Sequence, residues 1–331
     1  MAAVRFTPTR RNVRGPLMTT VIAVAIFMPS AAFADEGGVS FWVPGLYGSL
    51  AAVPVAPGWS FLSVYYHASV SAGAGKALPR DGKIVVGLDG TADVNFFGPA
   101  YTIAPPVLDG QLQLSMSAIG GHSSASVMAT ITGPLGNTIS GSRADDVGGF
   151  GDLYPLATLK WNDGSNNYMT YLTGDIPVGN YSPTRLANIG LGHSAIDGGG
   201  GYTYLNQTSG FEASAVLGFT GNFENTDTNY TNGIDAHLDW GVSQFFNAHL
   251  HAGVVGYFYH QLTGDSGQGA KLGSFESRVI GMGPQVGYIF PIDDSLQGYV
   301  NLKGYGEFAA ANRPSGWNLW FTFSLANAPP G

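Results

Sequence analysis

The chain has 331 residues, with 22 acidic against 14 basic, no cysteine, 49 glycines, 19 Phe, 16 Tyr and 6 Trp. The acidic balance without a basic patch excludes a nucleic-acid surface, and the missing cysteines exclude disulfides and thiolate metal centres. An apolar fraction of 44% is too high for a disordered chain.

Residues 1–34 read as a secretory signal peptide. Arg5, Arg10, Arg11 and Arg14 precede a short apolar run from Leu17 to Met28, and Ala32-Phe33-Ala34 is an A-x-A cleavage site. Without those four arginines, 10 basic residues face 22 acidic ones, a net charge of −12. Residues 35–58 carry Pro44, Pro54 and Pro57 and do not alternate in polarity. A central strand does not tolerate such prolines, so this stretch reads as a periplasmic N-terminal segment, either a plug for the strand-rich remainder of the chain or a flexible leader.

From residue 59 onward the chain repeats one unit: strand, short turn, strand, longer loop. The first strand runs from Trp59 to Val70, and a loop extends from there to Gly90. The second, Thr91 to Ile103, turns at Pro105-Pro106 and Asp109-Gly110 into the third, Gln111 to Ile131. That third strand exceeds the ~9–11 residues needed to cross a bilayer and should project beyond it. A long loop is expected over 132–148. Asp152 to Trp161 and Tyr168 to Thr173 then form a hairpin around Asn162-Asp163-Gly164, residues that tolerate the positive φ of a tight turn. A long polar loop over 175–192 precedes the sixth strand, His193 to Leu205. Further strands are expected at 211–221, 234–243, 249–262, 274–290, 297–308 and 318–325.

Twelve strands, an even number, with shorter connections after every second strand and mostly longer ones between, match a transmembrane antiparallel β-barrel with short periplasmic turns and longer extracellular loops. No segment of the mature chain holds 18 consecutive apolar residues, so helical spanning is excluded. The barrel occupies 59–331.

Three blocks carry a family resemblance: the GFGDLYP…LKWNDGSNNYMTYLTGDIPVGNY stretch over 149–181, GIDAHLDWGVSQF at 233–245 and GPQVGYIFPI at 283–292. With them the chain resembles, over about 40–325, the bacterial outer-membrane family named for the MetA pathway of phenol degradation, also met as SphA-like outer-membrane transporters. The resemblance implies an outer-membrane channel associated with uptake of aromatic or hydrophobic compounds. It supplies no settled site residues.

A polar-in, apolar-out parity places Tyr65, His67, Asp152, Lys160, Glu212, Asp235, His237, Asp239, Tyr299, Asn301, Lys303, Tyr305, Glu307 and Trp320 toward the lumen. Rings stacking on Tyr and Trp faces beside a few charged groups could form a ladder for aromatic solutes; the competing reading is plain lumen filling by salt-bridged packing. His249-x-His251 share a strand face but lack a third ligand, so no metal and no cofactor is expected. His122-x-Ser124 also share a face, but no partner acid, oxyanion hole or nucleophile elbow accompanies them. The chain therefore reads as a passive channel and not an enzyme. The other readings are an adhesive barrel binding a partner through its loops, or a lipid-modifying barrel. A barrel of this kind implies contact with outer-membrane lipid and lipopolysaccharide, the barrel-assembly machinery during biogenesis, and a small hydrophobic or aromatic solute. No nucleic acid is expected.

Overall fold

The computed structural model describes residues 40–72, 77–80, 83–132, 138–271, 273–274 and 276–328; the signal-peptide reading lies outside them. The strands are β1 (Gly58–Ser71), β2 (Ala77–Arg80), β3 (Lys83–Val86), β4 (Leu88–Thr102), β5 (Gln111–Thr132), β6 (Thr138–Asp163), β7 (Asn166–Gly174), β8 (Ala195–Asn206), β9 (Phe211–Asn222), β10 (Asp235–Phe245), β11 (Leu250–Gln261), β12 (Arg278–Pro291), β13 (Leu296–Ala311) and β14 (Ser315–Asn327). β1 and β4 to β14 close into a twelve-stranded antiparallel barrel, sealed where β1 pairs with β14 at Val64↔Thr322. Closure removes the edges of the barrel sheet, which is what lets strands cross lipid.

The alternation seen in the sequence sets the two faces of the wall. Leu172, Leu217, Phe219, Val254, Phe258, Val286, Leu302 and Phe321 point outward and are between 40% and 56% exposed, which is the arrangement lipid requires. Trp59 and Tyr101 (5.1 Å between ring centroids) and Tyr168 and Tyr202 (5.4 Å) sit near the short turns, as an interfacial aromatic girdle does. The β6–β7 turn is tight, with Gly164 at φ 62°.

Two expected loops prove to be strand. The 132–148 stretch belongs mostly to β6, which pairs with β5 from Gln111↔Lys160 up to Thr132↔Thr138. Its Ser, Asp and Arg residues are polar on both faces, so no alternation marked it. Part of the 71–90 connection forms the β2–β3 hairpin. β13 and β14 also run closer together than expected, separated only by residues 312–314.

The wall is uneven between β6 and β7. β6 pairs with β7 only from Leu156↔Thr173 downward. Above Pro155, the β7 side of β6 meets the connecting segment 175–194 instead: Leu153 and Ile176 exchange backbone bonds, and the Asn180 N–H donates to the Phe150 carbonyl at 2.9 Å.

Candidate functional site

Residues 40–53 lie inside the barrel. They are held mainly through their backbone, by side chains from five different strands. The Asp239 carboxylate accepts the Gly45 N–H (2.9 Å) and the Tyr47 N–H (3.0 Å). Lys303 Nζ donates to the carbonyls of Gly45 (2.7 Å) and Leu46 (2.9 Å), and Tyr305 Oη donates to that of Gly45 at 3.3 Å. Glu212 accepts the Leu50 N–H (2.9 Å) and the Ser49 hydroxyl (2.5 Å). Ala52 N–H donates to Thr203 Oγ1 (3.0 Å), and Lys160 Nζ donates to the Val53 carbonyl (3.2 Å). A segment without strand pairing needs such partners, because buried backbone groups left unbonded are costly. Burial and then the nearby Asp239 and Asp197 carboxylates push the Tyr47 phenol well above its ordinary pKa, so it stays neutral.

Side chains add a second hold. The Trp42 indole stacks on the His237 imidazole, with centroids 3.7 Å apart and planes at 13°. His237 Nε2 in turn faces Asp197 Oδ2 at 3.0 Å, and Thr220 donates to the same oxygen. Gly45 adopts φ +93°, and a Cβ there would lie 3.0 Å from the Tyr305 ring. At Gly199 a Cβ would lie 2.1 Å from the Leu217 carbonyl and 2.9 Å from the Tyr171 ring, so this member of the Gly198–Gly201 run makes room for a lumenal aromatic.

Above the segment, in the outer half of the barrel, is a cavity of about 230 Å³. Trp42 and Val43 form its floor. Tyr66, Val70, Leu88 and Ala125 line its wall, Leu186, Ile189 and Leu191 of the 175–194 segment close its side, and Glu307 and Arg313 stand at its margin. Glu307 is occupied by the Tyr257 hydroxyl (2.7 Å) and the Gly316 N–H (2.9 Å). The lining is more apolar than polar, with Ser40, Thr91, Ser123, Ser124 and Asn188 as its further polar members, the mixed character of a small-molecule pocket.

Most residues placed inward by parity do lie inward. Lys160, Glu212, Asp239, Lys303 and Tyr305 grip the segment, and His237 stacks beneath Trp42. Trp320 is fully buried, with Lys303 Nζ 5.3 Å from its ring centre. Tyr299 Oη meets His251 Nε2 at 3.1 Å, Asn301 donates to the Val286 carbonyl, and Asp235 accepts from Asn222 at 3.0 Å. Asp152 accepts the Gly179 and Leu191 N–H groups, both at 2.7 Å. Two residues are misplaced. Tyr65 and His67 point out of the barrel, where Tyr65 Oη donates to Asp93 Oδ1 (2.6 Å) and His67 Nδ1 lies 2.8 Å from the same oxygen. β1 turns Val64, Tyr66, Ala68 and Val70 inward instead, because this part of the lumen is the apolar cavity wall and the polar-in rule is inverted there. Val94, Ile119 and Val147 show the same inversion on β4, β5 and β6.

Sequence reasoning also passed over Thr203, Tyr171, Asp197, Gln285 and Trp42. Asp197 and Thr203 sat at inward parity on β8 and were legible; Trp42 lay in a stretch with no periodicity. His249 and His251 do not act as a pair: His251 faces Ser243 and Tyr299, while His249 bonds the Ile289 carbonyl. No three His, Cys, Asp or Glu side chains converge as a metal set among the described residues. His122 has an acid partner after all, Asp146 Oδ1 at 2.6 Å. Ser124, however, bonds the Thr91 hydroxyl at 2.7 Å.

The sequence matches the family described as "Putative MetA-pathway of phenol degradation" over residues 74–323. The chain belongs to that family. Among solved structures it is similar to the COG4313 outer membrane channel of Pseudomonas putida F1, with a TM-score of 0.63 and 14% identity over 84% of this chain and 98% of that one. At that identity the likeness is one of fold. A FadL homologue of Pseudomonas aeruginosa gives a TM-score of 0.42 and 10% identity, covering 91% of this chain and 98% of its own. The transport unit of the Escherichia coli autotransporter AIDA-I gives 0.41 and 12%, covering 86% and 94%. No curated protein matches the chain. The twelve-stranded barrel of this phenol-degradation family member is an outer-membrane channel fold.

Proposed function

We propose that this barrel is an outer-membrane channel for passive uptake of small hydrophobic or aromatic compounds. The observation that carries the reading is the apolar cavity of about 230 Å³, seated on a lumenal segment held through its backbone. A general hydrophilic pore needs a continuous water-filled lumen lined by polar groups. Here residues 40–53 fill the lower lumen, and the cavity above them is more apolar than polar. A single ring stacks there between Trp42 and Tyr66, and leaves downward when the segment shifts. Flow runs down the concentration gradient.

In this reading residues 1–34 direct secretion, the barrel sits in the outer membrane against lipid and lipopolysaccharide, and the barrel-assembly machinery inserts it. In this reading the barrel carries no catalysis; the Ser124 hydroxyl bonds that of Thr91, which is not a general base. The test is uptake of labelled phenol-like and long-chain apolar solutes, with a sugar control, into liposomes carrying the refolded protein. Selective flux of the apolar set supports the proposal. Equal flux of sugar makes the barrel a general pore, and no flux from folded protein removes the transport reading.

A further inference from the structure

The 175–194 segment replaces a missing strand beside upper β6, and one of its side chains is hard to account for as an ordinary structural residue. Asp175 comes directly after β7 and is only 5% exposed. Its N–H donates to the Ala195 carbonyl at 2.9 Å, but neither carboxylate oxygen meets a hydrogen-bond partner. Unpaired buried carboxylates are among the costliest groups a fold can contain. Nearby, Asp152 on β6 is 1% exposed, and its two oxygens take one backbone N–H each, from Gly179 and Leu191. Burial first, and then the Asp152 carboxylate, push Asp175 up to about 8. The Leu153–Ile176 backbone pair sets Asp152 and Asp175 on the same side of this seam, where the buried His193 is the basic group acting on Asp152 and, among the described residues, no lysine or arginine is hydrogen-bonded to either acid. A proton on Asp175 does not resolve the problem by itself, because a carboxylic acid still carries a donor and an acceptor that want partners.

We infer that Asp152 and Asp175 together form a site for a hard divalent cation of the calcium class, which pins the 175–194 segment to β6. Oxygen-only ligation by two carboxylates, completed by backbone carbonyls and water, is the chemistry such cations take. A softer metal does not suit this donor set, which offers neither thiolate nor a cluster of three His, Cys, Asp or Glu side chains among the described residues. Each carboxylate oxygen has a second lone-pair direction, so Asp152 can hold its two N–H donors and still ligate. The site would tie the top of β6, Gly179 and Leu191 into one unit where β6 and β7 stop pairing. It also borders the cavity, because Leu191, whose N–H Asp152 accepts, lines that cavity as well.

The experiment uses the full refolded chain in detergent. Terbium, a calcium substitute, is titrated in, and its luminescence is read with excitation of nearby tyrosine; Tyr154 lies two residues from Asp152 on β6. The expected result is a saturable signal displaced by excess calcium and lost in Asp175→Asn. An Asp89→Asn control, on the outer wall, keeps the signal. If Asp175→Asn does not fold, the wild type alone decides: calcium should raise its Tm and slow proteolysis within 175–194, and a chelator should reverse both. No saturable signal and no calcium effect on the wild type would overturn the site, and would leave a proton shared between the two acids or a buried water as the occupant. Flux of apolar solutes is not the readout, so this test stands or falls apart from the channel proposal.

Discussion

Asp239 and Lys303 grip the same three residues of backbone with opposite charges. Asp239 takes the N–H groups of Gly45 and Tyr47, and Lys303 gives to the carbonyls of Gly45, Leu46 and Tyr47. The two act as a clamp that reads backbone rather than side chains, which fixes the path of residues 45–47. Hydrogen bonds to charged groups contribute about 1.5–3 kcal/mol each. Asp239→Asn and Lys303→Met should each loosen the segment, and ion conductance in planar bilayers should rise several-fold. Unchanged conductance with a folded barrel would mean that the segment is held elsewhere.

Gly45 offers a second way to disturb the same clamp without removing a charge. Its φ of +93° and the Tyr305 ring 3.0 Å from a built Cβ make Gly45→Ala strained on both counts. A cost of about 1–2 kcal/mol is expected from the left-handed backbone alone. The variant should resemble Lys303→Met in conductance while the barrel's own thermal unfolding is unchanged. A wild-type conductance would show that the segment relaxes around the methyl.

The cavity can be filled from the wall. Ala125 lines it from β5, and Ala125→Trp places an indole in the space assigned to the solute. Overpacking of this kind costs about 1–3 kcal/mol, so folding is checked by heat-modified electrophoretic mobility. Uptake of aromatic solutes should fall while ion conductance is unaffected. Equal loss of both would place the ion path through the cavity too.

Trp42 joins the segment to the cavity floor. Removing a buried indole costs about 3–5 kcal/mol, here charged against docking of the segment onto His237. Trp42→Ala should raise conductance and weaken aromatic uptake together, whereas Trp42→Phe should restore most of both. If the phenylalanine variant behaves like the alanine, the indole matters for more than its ring area.

At the periplasmic end, Asp293 accepts N–H groups from Ser295 (2.7 Å) and Leu296 (3.0 Å). These bonds hold its carboxyl below the ordinary range. A depressed folded pKa contributes stability above the unfolded value, and that contribution is lost as pH falls through the folded one. The stability difference between wild type and Asp293→Asn should therefore shrink on acidification below the ordinary carboxylate range. A difference independent of pH would assign the turn's stability to the asparagine-compatible geometry instead.

Strand number, order and closure were legible because lipid on one side and packed polar groups on the other force a period of two. Ile234 to Val242 shows this most clearly, and Asp235, His237 and Asp239 fall inward as that period requires. The same rule failed at Tyr65 and His67. There the lumen is itself apolar, so the apolar face of β1 turned inward and parity lost its sign. Upper β6 has no alternation to mark it as strand, because Ser140, Ser142, Arg143 and Asp145 make both of its faces polar. Trp42 could not be found from pattern, since the segment that carries it is fixed by the side chains of other strands.

The most direct measurement is a crystal structure of the protein soaked with a brominated phenol, with anomalous scattering locating the halogen. A channel for aromatic solutes predicts a bromine peak in the cavity between Trp42, Tyr66 and Ile189, with residues 40–53 still in place. A peak only on the outer wall or among the loops, with that cavity empty, would contradict it.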